Sequence, residues 1–180
     1  MRSLRKSFAL SIVFISFGII GANAQNSTRS DRPIEQQIFR KILYSQNYGV
    51  FDFISFELQG TTVTLSGKVN SLGVISDAER SVKDVTGVTN VINNIEQLPP
   101  SPFDDEIRHQ ALRTFDERGP SQYFGGRTPD VRIIVENGRL TLEGHVTNKS
   151  HSDVLYTLAN GISGVFSVQN NLVVGKDAMR

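Results

Sequence analysis

Apolar residues recur along this chain at two spacings, and the order of the spacings is itself repeated. Ile34, Ile38 and Ile42 fall every four residues with Phe39 beside them, which predicts a helix over Pro33–Tyr44. Asp31 is placed to cap it and Pro33 fits its first turn. Past the break at Gln46–Gly49, Ile54, Phe56 and Leu58 alternate with Ser55 and Glu57, the period-2 pattern of a half-buried strand. Gln59-Gly60 begins a turn, and Val63, Leu65 and Val69 mark a second strand. Ser71 is placed to cap a second helix whose stripe is Val74, Ala78, Val82 and Val85, with Gly87 as its stop. Val88–Leu98 then reads as a third strand. Asn93-Asn94 sits in its middle, so one amide points inward and needs partners, most simply neighbouring backbone.

The same series returns without a gap at an offset of 77 residues. Val63-Thr-Leu-Ser-Gly-Lys-Val69 lies on Leu140-Thr-Leu-Glu-Gly-His-Val146, Gly87-Val88 on Gly164-Val165, and Asn93-Asn94-Ile95 on Asn170-Asn171-Leu172. A duplication of this length predicts two copies of one small domain. Ile107, Ala111, Leu112 and Phe115 match the first helix at an offset of 73, so four extra residues fall in the loop Gly119–Asp130. Ser101 with Asp104 resembles a capping box, and Asp104-Asp105-Glu106 suits the positive end of a helix dipole before it suits a metal. Val131, Ile133 and Val135 predict a strand, Asn137-Gly138 a type I′ turn, and Leu140, Leu142 and Val146 its partner strand. Asn148 caps a helix with the stripe Leu155, Leu158, Ala159 and Ile162, and Val165–Val174 is the last strand.

Each unit therefore reads α-β-β-α-β: an antiparallel hairpin, a right-handed crossover to a parallel third strand, and two helices on one face of a three-stranded mixed sheet. The expected fold class is α+β in two tandem domains, 33–98 and 103–174. They are joined by the stiff Pro99–Pro102 linker, which is short enough that the domains should touch or nearly touch. A polar segment, 25–32, precedes them and a polar tail, 175–180, follows.

The first 24 residues change the picture of location. Arg2, Arg5 and Lys6 precede the apolar run Phe8–Ile20, and Ala22-Asn23-Ala24 places small residues at a cleavage site. That is the three-part pattern of a secretory signal peptide; the run is short for a span of about 20 residues, so cleavage after Ala24 is expected. Cysteine is absent, which excludes disulfides, cysteine-ligated metal and a cysteine-linked lipid. The formal charge of +1 comes from 19 basic and 18 acidic residues; three of the basic ones lie in the leader, leaving 16 against 18, or −2. No strong electrostatic case for nucleic acid remains.

The strand V/L-x-L-x-G-x-V, the helix ending at Gly-Val and the following V-x-N-x-L-like strand occur in both copies, at Val63–Val69, Gly87-Val88 and Val91–Ile95, and at Leu140–Val146, Gly164-Val165 and Val168–Leu172. In these features the chain resembles the BON domain family, and within it the periplasmic proteins with two such domains. The resemblance implies envelope location, a setting of osmotic or envelope stress, binding to phospholipid surfaces, and no catalytic residues. The family glycines map to Gly67, Gly87, Gly144 and Gly164, read as fold residues. Lipoprotein relatives carry a lipobox cysteine that these residues lack, so a periplasmic protein that is not a lipoprotein is expected, with no transmembrane span after cleavage and no cofactor.

Candidate chemistry is sparse. No nucleophile, phosphate-loop or metal motif appears, and His109, His145 and His151 lack ligand spacing, so each reads as solvated or locally bonded. Glu136 and Glu143 near His145 suit ordinary hairpin surface charges better than an acid–base set. The loop Gly119–Asp130 carries Tyr123 and Phe124 beside Arg118 and Arg127, and Tyr48 and Phe51 occupy its counterpart. An aromatic pair with arginines suits a lipid headgroup interface; the alternative is that both rings pack on their own core or on the other domain. The expected partner is an anionic phospholipid surface through Arg118, Tyr123, Phe124 and Arg127, or alternatively an envelope protein docking on a sheet edge or on this loop.

Overall fold

The protein is described here by a computed structural model over residues 32–175. The expected signal peptide at 1–24, the segment 25–31 and the tail end 176–180 lie outside the described residues. The chain runs α1 (Arg32–Leu43), β1 (Phe53–Gln59), β2 (Thr62–Val69), α2 (Leu72–Lys83) and β3 (Asn90–Gln97). The second unit follows as α3 (Pro102–Arg118), a 3-10 turn (Ser121–Tyr123), β4 (Val131–Glu136), β5 (Arg139–Val146), α4 (Lys149–Asn160), β6 (Ser167–Asn170) and β7 (Val173–Val174).

Both sheets have the expected topology. The hairpin strand β2 is central, antiparallel to β1 and parallel to β3; β5 is likewise antiparallel to β4 and parallel to β6. The last strand differs from expectation in being interrupted at Asn171-Leu172. It is still one strand by register, because Leu142 faces Asn170 and His145 faces Val173, the same offset of 28 residues that sets Thr62 opposite Asn90. Asn93 is the inward amide: it donates to the Ile75 carbonyl and to Glu79, and accepts from the Ile95 N–H. Asn170 repeats this by donating to Ser152 and accepting from Leu172 N–H.

Each core lies between its sheet and its two helices. Ile38, Ile42, Val74, Ala78 and Val82 meet Val63, Leu65 and Val69 in the first domain. Ile107, Ala111, Phe115, Leu155 and Ala159 meet Val131, Ile133, Leu140 and Leu142 in the second. Ser101 accepts from Asp104 N–H and Asn148 from His151 N–H, as their positions predict. Ser71 holds the corresponding position of α2 in extended backbone, but its side chain makes no cap bond. Pro102, placed in the linker by sequence, is the first residue of α3, where its missing N–H costs nothing.

Gly67 and Gly144 sit where β2 and β5 press on the chain entering β1 and β4. A Cβ on Gly144 would stand 2.1 Å from the Asp130 carbonyl oxygen, and one on Gly67 2.1 Å from that of Phe53. Gly87 and Gly164 lie under the first helix of their own unit, against Ile34 and against Phe103 with Ile107.

The domains do touch, through a seam that the sequence pattern does not announce. The Val50 carbonyl accepts the Ile133 N–H at 2.8 Å, so the loop before β1 lies along the free edge of β4. Val50 and Phe51 pack against the second core. Arg132 donates to the Gly49 carbonyl at 2.8 Å and stacks on Tyr48, its guanidinium 4.4 Å from the ring centre. Asp52 folds the loop by accepting from Gly49 and Asn70 N–H, both at 2.7 Å. Burial pushes the Asp52 carboxyl up, against the pull of those two donors and of Arg132. Burial by the seam explains why every residue of Val131–Val135 is inaccessible when only alternate ones face the core.

Candidate functional site

The loop Gly119–Asp130 is not an exposed aromatic anchor. Tyr123 and Phe124 are 3% and 7% exposed and belong to the second core. Phe124 stacks on Phe115 with ring centres 5.3 Å apart. The Tyr123 hydroxyl accepts the Thr147 N–H at 2.9 Å and lies 2.7 Å from both Thr147 Oγ1 and His151 Nδ1. The insertion thus ties α3 to the start of α4, and its rings are spent on packing, as a small domain requires. Arg118 and Arg127 remain exposed. Of the two readings of these rings, packing on their own core is the one the structure shows, and the reading of Tyr123 and Phe124 as surface anchors is corrected.

The exposed aromatic pair is elsewhere. Phe103 is 51% exposed and Phe166 is 78% exposed, with ring centres 6.3 Å apart. The Asn137-Gly138 turn positions both. Its two residues have positive φ, 53° and 73°, as a type I′ hairpin needs. The buried Asp104 carboxylate accepts from both turn N–H groups, at 2.9 and 2.8 Å, which fixes the first turn of α3 and with it Phe103. The Gly138 carbonyl accepts the Phe166 N–H at 2.8 Å, and a Cβ on Gly138 would meet the Phe166 ring at 2.5 Å. The sequence pattern singles out neither residue; their proximity is a product of the turn.

The outer face of the second sheet forms a cleft with the first domain. Its floor comes from β4, β5 and β6, and its wall from Phe53, Gly67 and Lys68. The volume is about 410 Å³. Lys68 bridges the domains by an ion pair with Glu136. Glu143 accepts from Asn171 Nδ2 at 2.7 Å. Burial raises the Glu143 carboxyl, opposed by that amide. Burial lowers the His145 imidazole, opposed by Asp130. Glu143 lines the cleft and His145 does not, and among the described residues no hydrogen bond joins the two.

The other histidines are bonded locally. His109 Nδ1 lies 2.7 Å from the Asp105 carbonyl and its ring meets Phe51 edge-on; His151 joins Tyr123 and Asn148. Among the described residues no group of three His, Asp or Glu side chains is placed to hold a metal. Among them, no helix is long and apolar enough to cross a membrane.

Three comparisons bear on this geometry. The model of the BON domain family matches residues 30–99 and again 105–176. The outer membrane lipoprotein DolP of Haemophilus influenzae is similar at 32% identity over 108 residues, 59% of this chain and 54% of that protein. The chain therefore spans about half the length of that curated relative. Two solved structures of CdsD, described as a structural protein of the type III secretion system of Chlamydia trachomatis, are similar at 12% and 14% identity. They cover 81% and 83% of this chain and 94% and 98% of their own, each with a TM-score of 0.31.

Proposed function

This chain belongs to the BON domain family and carries two copies of the domain, and on that premise we propose that it is a non-enzymatic binding module of the cell envelope that contacts phospholipid membrane surfaces. The observation that carries the reading is the pair Phe103 and Phe166, exposed side by side at one end of the second domain. Two phenylalanine rings entering the acyl boundary contribute about 1.5–3 kcal/mol each if fully buried, and less for partial insertion. That is marginal alone, so anionic headgroups near Arg139, beside the same turn, would add about 1 kcal/mol. The DolP relative, by its description an outer membrane lipoprotein, supports an envelope setting. The proposed location is the periplasm after removal of residues 1–24, with osmotic or envelope stress as the setting. Mass spectrometry of envelope fractions should then find Gln25 at the N-terminus, and intact Met1 in a membrane pellet would count against export with cleavage.

Flotation with anionic and neutral vesicles tests the lipid reading. The parent should float with anionic vesicles. The double change Phe103→Ser with Phe166→Ser should abolish flotation at low and high salt alike, because apolar burial is not screened. The double change Arg118→Glu with Arg127→Glu should float like the parent, since the rings beside those arginines are buried. Flotation unaltered by the phenylalanine changes would sink the proposal.

A second reading is favoured by one observation. β4 has its edge occupied by Val50, whereas β3 is an outer strand of eight residues, Asn90–Gln97, with Ile92 exposed. Such an edge can accept a strand from an envelope protein. Failure of flotation together with capture of a partner that is lost on Ile92→Pro would favour it.

A further inference from the structure

We propose that the cleft between the domains is a binding site for a small neutral sugar. The cleft sits at a domain boundary and its volume of about 410 Å³ lies in the range of small-molecule sites. Its charges are balanced, with Lys68 and Arg139 against Glu136 and Glu143, and Lys68 is already committed to Glu136. An anion would meet Glu143 and a cation would meet Arg139, so neither sign is favoured.

What the floor does offer is a row of neutral groups in strand register. Thr141 faces Gln169 across the β5–β6 pair, and Arg139 faces Ser167. With Asn171, which accepts from Gln169 Nε2 at 3.2 Å and donates to Glu143, they put hydroxyls and amides on one face between the Arg139 guanidinium and the carboxylates of Glu136 and Glu143. Hydroxyls and amides donate and accept alike, and Glu143 keeps a second carboxylate oxygen beyond the one that Asn171 holds. A vicinal diol also donates and accepts from adjacent atoms, so its spacing suits such a row. Across the cleft the half-buried ring of Phe53 presents an apolar wall. The C–H face of a pyranose can stack there while its hydroxyl rim meets the strands.

The lining comes from both domains, and the seam at Val50 and Arg132 holds the wall over the floor. The site is therefore a property of the tandem and does not exist in either copy alone. Neither ring of the Phe103–Phe166 pair lines it; Arg139 borders both places, so variants that leave Arg139 in place tell lipid binding from sugar binding.

The test is a titration of the ¹⁵N-labelled purified protein with maltose and with di-N-acetylchitobiose, followed by amide chemical shifts. At least one sugar should give saturable shifts centred on Thr141, Glu143, Gln169 and Asn171, with Phe53 affected across the cleft. The double change Thr141→Val with Gln169→Ala should weaken binding about tenfold, as the loss of two hydrogen bonds implies, with melting temperature unaltered. Phe53→Leu, which keeps an apolar side chain at the entry to β1, should weaken binding through loss of the stacking surface. Absence of saturable shifts with both sugars would overturn the proposal. So would shifts centred away from the cleft, or shifts of the cleft amides by glycerophosphoethanolamine when neither sugar moves them.

Discussion

Replacing Gly144 by alanine isolates the tightest backbone contact in the second domain. The added Cβ would lie 2.1 Å from the Asp130 carbonyl oxygen and 3.3 Å from Val131 Cα. Both are backbone atoms, so no side chain can swing away. Gly144 also has φ of +109°, which an L side chain adopts at about 1–3 kcal/mol. Relief requires the Asp130 peptide to move, and that oxygen also accepts the His145 N–H at 3.0 Å, a bond worth roughly 0.5–1.5 kcal/mol. Together the loss is about 2–4 kcal/mol, which for a domain of this size lowers the melting temperature by roughly 10–30 °C. Two other glycines of the same domain provide the scale. Gly126 has φ of +82° with nothing near its missing Cβ, so Gly126→Ala should cost about 1 kcal/mol from backbone strain alone. Gly125 has open space and no such φ, so Gly125→Ala should stay within about 0.5 kcal/mol of the parent. Thermal unfolding followed by circular dichroism ranks the three. If Gly144→Ala melts with Gly126→Ala, the contact with Asp130 is not felt and the account of this glycine is wrong.

Two further outcomes test the environments of individual side chains. Phe124→Ala should cost about 3–5 kcal/mol, because it empties a core position stacked on Phe115; unchanged melting would restore Phe124 to the surface. Glu143→Gln should raise the melting temperature at neutral pH. The folded carboxyl is raised by burial, so the parent's carboxylate destabilises the fold above that raised value; the penalty fades as pH falls through the window and is gone below the unfolded value. A difference between variant and parent that is constant from neutral to acid pH would contradict the burial of this group.

Much of the fold is legible because period and punctuation agree. The stripes of α1 through α4, the hairpin turn at Asn137-Gly138 and the caps at Ser101 and Asn148 are local signals with local causes. Ser71 fails as a cap although it occupies the register of Asn148. The site was less legible. Tyr123 and Phe124 look like surface residues only while the loop is read by composition; their burial follows from a small core's need for large rings. Phe103 and Phe166 are 63 positions apart and meet because Asp104 and Gly138 bring their elements together. The seam left one trace in the sequence. Ile134 stands on the face that alternation assigns to solvent, yet it is buried and lines the cleft shared with Phe53, Gly67 and Lys68 of the first domain. Arg132, beside it, gave no such sign, since an arginine on an outer face is ordinary until its partner, the Gly49 carbonyl, is known.

The backbone of residue 50 lying along β4 has a consequence for anyone who would cut the tandem in two. The halves look interchangeable, yet only one depends on the other for its border. Released from its neighbour, the second half would present an unprotected strand to any matching strand in solution, and would leave Arg132 and Ile134 uncovered. Such an edge invites pairing between copies. The first half would lose the cover over Val50 and Phe51, the Arg132 stacked on Tyr48 and the Lys68–Glu136 pair, but no strand edge. Duplication here has therefore yielded a guardian and a ward, and excision experiments on the second half alone would report on the loss of that guardianship before they reported on any binding.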